Sequence, residues 1–397
     1  MTARVVIRRT ARLPDPVRLE RYRKHPQVGP KLLFFGGGTA LRELSRRLID
    51  YTHNSIHLLT PFDSGGSSAQ LRKAFRMLAV GDLRNRLMAL ADQSVLGQPA
   101  IFALFSFRFP LDEEQERLRR WLKRMIDGVD PMIAAIDHPM RKIIRAHLRF
   151  FSEQMPDSFD LRGANIGNLI LAGGFLNQGR HIDPVIYTFS KLVEVRGLVR
   201  PTATKHLHLV AELEDGTVLA GQHLMTGKEA TPIRSPIARV YLSRRRSAPE
   251  PIRLEARPRT RKVIGEADVI CYPMGSFYSS LIANLLPVGV GQAIADNDVP
   301  KVYVPNTTAD PEQIGMTLAA SVRTLLDYLR QSCERPVADG DLLQFVLVDR
   351  AARDPGAKAV REVERLGVQV VDAPLVARGG DGLVDGERLA QVLLSLT

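Results

Sequence analysis

Residues 31–50 read KLLFFGGGTALRELSRRLID. The run Lys31–Phe35 predicts a short buried strand, too brief for a helix and ended by glycine. Gly36, Gly37 and Gly38 open backbone angles that other residues avoid. Thr39 is expected to cap the helix that follows, on which Leu41, Leu44 and Leu48 share one face. A strand, a glycine turn and a helix N-terminus aim backbone N–H groups and a partial positive charge at one spot, and that geometry suits a phosphate. The same turn also serves tight packing. It matches neither the dinucleotide fingerprint G-x-G-x-x-G nor the phosphate loop G-x-x-x-x-G-K-[ST].

Moving outward, the pattern repeats. Ser55–Thr60 (SIHLLT) predicts a second strand, followed by Asp63, Gly65, Gly66, Ser67 and Ser68 before another helix. Two successive strand–turn–helix units place both turns at the carboxyl edge of a parallel sheet, where open α/β folds bind ligands. Residues 80–92 (VGDLRNRLMALAD) bring Asp82, Arg84 and Asn85 to a helix start. A carboxylate, a guanidinium and an amide so close can handle a metal–diphosphate or a hydroxyl; the plainer alternative is an ordinary N-cap at Asp82 with Arg84 in solvent. After amphipathic helical patterns between 99 and 160, Asn165, Gly167 and Asn168 open a third polar helix start. From Leu198 the texture is β, with Asp215-Gly216 as the turn of a hairpin. His206 and His208 share a strand face there, but lack a third ligand at zinc spacing. Parallel α/β signals return with a strand at Asp268–Tyr272, the turn Pro273–Ser276 and a helix carrying Asn284. A strand ending at Asn306 follows, then strands at Phe345–Val348 and Val368–Val371.

Composition bounds the rest. The 397 residues are 45% hydrophobic with mixed charge, as in a globular chain with a large core. No run of eighteen apolar residues and no apolar leader appears, so neither a membrane span nor secretion is expected. The two cysteines, Cys271 and Cys333, fit a reducing cytoplasm. A net charge of +12 favours an anionic ligand. The arginines are interspersed with acids and there is no basic–aromatic module, so nucleic acid is not the expected partner.

GGGTA, FDSGGSSAQLR, GDLRN, GANIGNL, PMGSFYSSLIANLL and VYVPNTTADPEQ occur here in the order of the CofD-like and YvcK-like proteins, and the chain resembles that family over about 31–92 and 161–395. GGSS, GDLRN and GSFYSS bring it nearer the YvcK-like branch. The resemblance implies a Rossmann-like α/β fold with a mostly parallel sheet flanked by helices, in one elaborated domain over 31–397. A helical insertion at about 93–160, a β-rich segment at about 198–242 and a basic N-terminal extension at 1–30 complete the expected layout. The departures are Ala40 in place of the last glycine of GGGTG, Ser64 in place of a second acid after Asp63, Ala164 in place of a histidine, and Pro273-Met274 in place of glycine-proline.

The family's activity implies two readings. In the first, a 2-phospho-L-lactate transferase-like protein moves a phosphoryl-linked group from a nucleoside diphosphate conjugate. Gly36, Gly37, Gly38, Thr39, Gly275 and Ser276 would hold phosphates. Asp63 would carry Mg²⁺ and Arg84 would stabilise the leaving charge, with Asp82 as the third catalytic candidate. Gly65, Gly66, Ser67, Ser68, Asn85, Asn168, Asn284 and Asn306 complete the expected binding set. In the second, the protein binds a UDP-sugar without turnover, as a regulator. A GDP- or GTP-type conjugate and self-association into a homo-oligomer are compatible with either.

Overall fold

The computed structural model describes residues 10–92, 98–227, 232–377, 379 and 381–397. The start of the basic extension and residues 93–97 of the helical segment lie outside the described residues.

Seven strands form one parallel sheet: β1 (Leu32–Gly36), β2 (Ile56–Leu59), β3 (Leu198–Pro201), β7 (Val269–Tyr272), β8 (Lys301–Tyr303), β9 (Phe345–Val348) and β10 (Gln369–Asp372). Their spatial order is β10-β9-β8-β7-β1-β2-β3. The chain leaves β1 in one direction through β2 to β3, then returns to the other side of β1 at β7 and continues outward to β10. The switch point of the sheet therefore lies between β1 and β7, where a crevice opens at the strands' carboxyl ends. The short antiparallel sheet consists of β4 (His208–Leu213), β5 (Val218–Ala220) and β6 (Ile237–Ser243), with β4 in the middle. Gly216 sits at φ +85° in the β4–β5 turn, as the Asp-Gly pair predicts.

Alternation along the strands sorts the core into two faces. Leu32 and Phe34 of β1, with Val269 and Cys271 of β7, pack under the helices Arg42–Leu48 and Gly386–Leu394. Leu33 and Phe35, with Ile270 and Tyr272, face the opposite way toward the helix Leu318–Gln331 and the small sheet. A third cluster is almost wholly helical. It joins Leu59 and Val199, on β2 and β3, to helices that include Gly66–Phe75, Gly81–Ala89, Pro99–Ser106, Gln115–Asp127, Met140–Gln154 and Ile166–Asn177. The expected N-terminal extension contains a helix, Pro16–Lys24: Asp15 caps it, and Leu19 is buried in the cluster that holds Leu389.

Candidate functional site

At the end of β1 the structure departs from the expected cap. The helix begins at Arg42, and Leu41 holds the N-cap position without a side-chain bond. Thr39 instead offers its carbonyl to the Arg42 N–H at 2.9 Å. The loop is thus longer than the pattern predicts. Among the described residues, the backbone N–H groups from Gly37 to Leu41 reach no protein acceptor. Gly38 makes the turn at φ +58°. Gly37 is needed for space: a Cβ there would lie 2.8 Å from Thr60 Oγ1, 2.9 Å from Ser280 Oγ and 3.3 Å from Asp82 Oδ2.

Those three neighbours assemble the rest of the site. Asp82 is 8% exposed, in the first turn of the helix Gly81–Ala89, whose N-cap is Val80. The capping account of Asp82 therefore does not hold. Gly81 abuts the second turn, because a Cβ on it would lie 2.5 Å from Ser68 Oγ and 3.3 Å from Asp63 Oδ2. Asp63 Oδ1 accepts the Gly65 N–H at 3.1 Å, which folds the Gly65-Gly66 turn. The third helix start joins through Ser67. The Asn165 N–H and Asn168 Nδ2 approach its hydroxyl at 3.4 and 3.5 Å, while Asn165 caps its own helix through the Asn168 N–H. Ser64 faces away from this convergence, its hydroxyl 2.7 Å from His223 Nδ1 beside β5.

Arg86 escaped the sequence reading. An arginine on an amphipathic helix ordinarily lies in solvent, yet this one is 2% exposed. It donates to the Leu41 carbonyl at 2.6 Å and to Ser45 Oγ, pinning the end of the phosphate-loop candidate. Burial pulls its pKa down to about 10, and the nearby Asp82 carboxylate opposes that shift. Arg84 is also pulled down to about 10, first by burial and then by Arg108 and Arg42; it donates to the Asn85 side chain.

The turn after β7 is arranged differently. Gly275, at φ +134°, abuts the first loop: a Cβ on it would lie 3.3 Å from Ala40 Cβ. Four of its donors, however, those of Gly275, Phe277, Tyr278 and Ser279, are taken by protein. The Gly275 N–H bonds Asn306 Oδ1 at 2.9 Å, and Asn306 Nδ2 returns a bond to the Gly275 carbonyl. The Phe277 N–H goes to Asp310, and the Tyr278 and Ser279 N–H groups to Glu312, each at 2.8 Å. Asp310 and Glu312 thus plug the N-terminus of the π-helical segment Phe277–Ile282. Burial, and then Asp310, push the Glu312 carboxyl up to about 7. Asn306 therefore clamps the turn. Asn284, fully buried, braces the site from below, donating to the Gly36 and Ser280 carbonyls and accepting from Thr202 Oγ1. The two acids stand in the quoted stretch VYVPNTTADPEQ, but only the tertiary fold brings them to residues 33–34 positions away.

Over residues 32–376 the chain matches the family described as 2-phospho-L-lactate transferase CofD. It belongs to the CofD family. It is 30% identical over 301 residues to the gluconeogenesis factor of Bacillus subtilis, covering 76% of this chain and 75% of that one. To the gluconeogenesis factor of Listeria monocytogenes it is 27% identical over 379 residues, covering 93% and 96%. Its fold matches a crystal structure of a UPF0052 family member from Bacillus halodurans with a TM-score of 0.64, at 24% identity, over 92% of this chain and 99% of that one. Within the CofD family frame, no three described His, Cys, Asp or Glu side chains group as a metal-binding set. A magnesium ion carried by a diphosphate needs only one or two carboxylates. Half-buried Asp63, whose Oδ2 would lie 3.3 Å from a Cβ on Gly81, and buried Asp82, the residue after that glycine, are the carboxylates that would meet that demand. Among the described residues no helix is long and apolar enough to cross a membrane.

Proposed function

We propose that this protein is a regulatory binder of a nucleoside diphosphate conjugate of the UDP-sugar type, acting in the cytoplasm without turnover. One observation carries the reading. The five N–H groups from Gly37 to Leu41 sit at the switch point of a parallel sheet with no protein acceptor among the described residues, and oriented donors of this kind stabilise phosphate. The regulatory part draws on the relatives named gluconeogenesis factors and on Ser64, which stands where the family pattern has a second acid and is engaged by His223.

A second reading, transfer of a phosphorus-containing group, is favoured by Asp63 lying beside the Gly81 backbone at the start of the Asp82 helix. There Asp63 would hold Mg²⁺, which neutralises phosphate charge when bound, and Asp82 and Arg84 would orient the conjugate. The two readings part in one experiment. Protein, Mg²⁺ and UDP-glucose or GDP-glucose are mixed with water as the acceptor hydroxyl, which would yield glucose phosphate and nucleoside monophosphate, and both binding and nucleoside monophosphate are followed over hours. Saturable binding without release is expected. Steady release would replace the regulatory reading with the transferase, and no binding of either conjugate would remove both.

A further inference from the structure

Beside the phosphate-loop candidate, a cavity of about 270 Å³ separates the helix Gly81–Ala89 from Pro99–Ser106. Four arginines line it, Arg42, Arg46, Arg84 and Arg108, over a floor that includes Phe102 and Phe105. Among the described residues, none of the four has a carboxylate within ion-pair distance. Arg84 lies deepest. Among the described residues its side chain bonds its neighbour Asn85, and its Nε is buried without a partner. Its stem is wedged against Gly167, where a Cβ would meet Arg84 Cδ at 2.9 Å. Arg108 is held in place by its bond to the Gly163 carbonyl. Gathering four guanidinium groups around one cavity costs Coulomb energy, and a planar fork of N–H donors matches a carboxylate or phosphate.

We propose that this cavity is an anion site in its own right, taking a compact dianion on a small molecule, with a guanidinium fork from Arg84 and charge from Arg42, Arg46 and Arg108. The aromatic floor admits the molecule's apolar body. The helical segment that follows residue 98 thereby gains a role, because it supplies Phe102, Phe105 and Arg108. The site adjoins what the loop at Gly37 binds: the transferase reading also uses Arg84, and Arg42 and Arg46 line the groove on the loop's other side as well.

The chain's single tryptophan offers a reporter. Trp121 packs on Phe107 and Phe109, at 5.4 and 5.5 Å between ring centroids, flanking Arg108. Inorganic phosphate and malonate are titrated separately at constant ionic strength, reading Trp121 emission and melting temperature. At least one should act saturably, and which one acts tells phosphate from dicarboxylate chemistry. Arg108→Met and Arg42→Met, both at exposed positions, should each weaken that response about tenfold. Gly37→Val should keep it while losing UDP-glucose. The proposal is overturned if neither anion acts on the wild type, if the arginine variants respond as the wild type does, or if folded Gly37→Val loses the anion response. Loss of UDP-glucose binding in wild type alone, with the anion response intact, would sink only the conjugate reading.

Discussion

The loop after β1 and the turn after β7 are built from the same local ingredients and end in opposite states. Each leaves a buried parallel strand through glycine and runs into a helix, and the two touch at Ala40 and Gly275. Among the described residues the first keeps its donors from Gly37 to Leu41 without protein acceptors, whereas the second has surrendered those of Gly275, Phe277, Tyr278 and Ser279 to Asn306, Asp310 and Glu312. The closed turn is instructive about the open one. Where this fold points successive N–H groups past a strand end, its own solution is to seat carboxylates there. Carboxyl oxygens are what such a turn holds. The open loop is then the place left for an anion from outside.

Blocking the open loop should have the largest effect. Gly37→Val puts a branched side chain within 3 Å of Thr60 and Ser280 hydroxyls, and UDP-glucose binding measured by calorimetry should vanish in protein that retains its circular dichroism spectrum. Retained affinity would make the two turns equivalent and the contrast void. Next in size is a pH effect at the closed turn. Glu312 holds its proton up to about pH 7 when folded, against an ordinary value of 4.5. At this one group the native state therefore binds more protons than the unfolded state between those values, and its contribution to stability falls as pH rises through that window, by about 3 kcal/mol. His57, His147, His206 and His208, held below the usual histidine range by burial, pull stability the other way in the same window. Urea unfolding at pH 4.5 and 7.5 should therefore show wild type losing about that much relative to Glu312→Gln. An unchanged slope in the variant would mean that Glu312 is ionised throughout and seated as firmly as an external phosphate.

Asn306→Ala should be smaller. It strips the Gly275 N–H and carbonyl of their partners, for a loss of about 1–3 kcal/mol in unfolding free energy. If the turn is purely internal, conjugate affinity should move little. A fall well beyond tenfold would instead make the closed turn part of the ligand site. The smallest effect is expected at Asp63→Ala, compared with wild type in conjugate titrations with and without Mg²⁺. The variant should lose the metal-dependent tightening, a change of roughly several-fold for one carboxylate in a largely hydrated magnesium shell. Tightening that survives would move the metal to Asp82 or remove it from the protein altogether.

The parallel sheet was legible because its strands are buried on both faces. Such strands read as unbroken apolar runs, as in Leu32–Phe35, with turn residues to end them. The Asp-Gly hairpin and the Asn165 cap were legible for local reasons too, since the residues that make them lie within a few positions of one another. What stayed hidden depends on distant partners. Thr39 carries the chemistry of a cap, but Arg86, arriving from the helix beyond β2, fixes the Leu41 carbonyl at the end of a longer loop. Glu312 reads as a surface acid until the fold sets it against Tyr278 and Ser279. The arginines of the cavity come from three separate helical regions, and no spacing rule joins Arg42, Arg84 and Arg108.

The central position of β1 also governs how the molecule can be made. Its partner on one side is β2, the next strand to emerge. Its partner on the other is β7, and the bond that opens this pairing, from the Lys31 N–H to Asp268, spans 237 residues. A nascent or refolding chain must therefore hold the bare apolar edge of β1 until two-thirds of the sequence is available, and long loop closures of this kind are slow. Such an edge invites pairing with another chain. Pulse-labelled hydrogen exchange during refolding should find the β1 and β7 amides gaining protection together and last, with the helical cluster around Phe151 and Leu169 already closed.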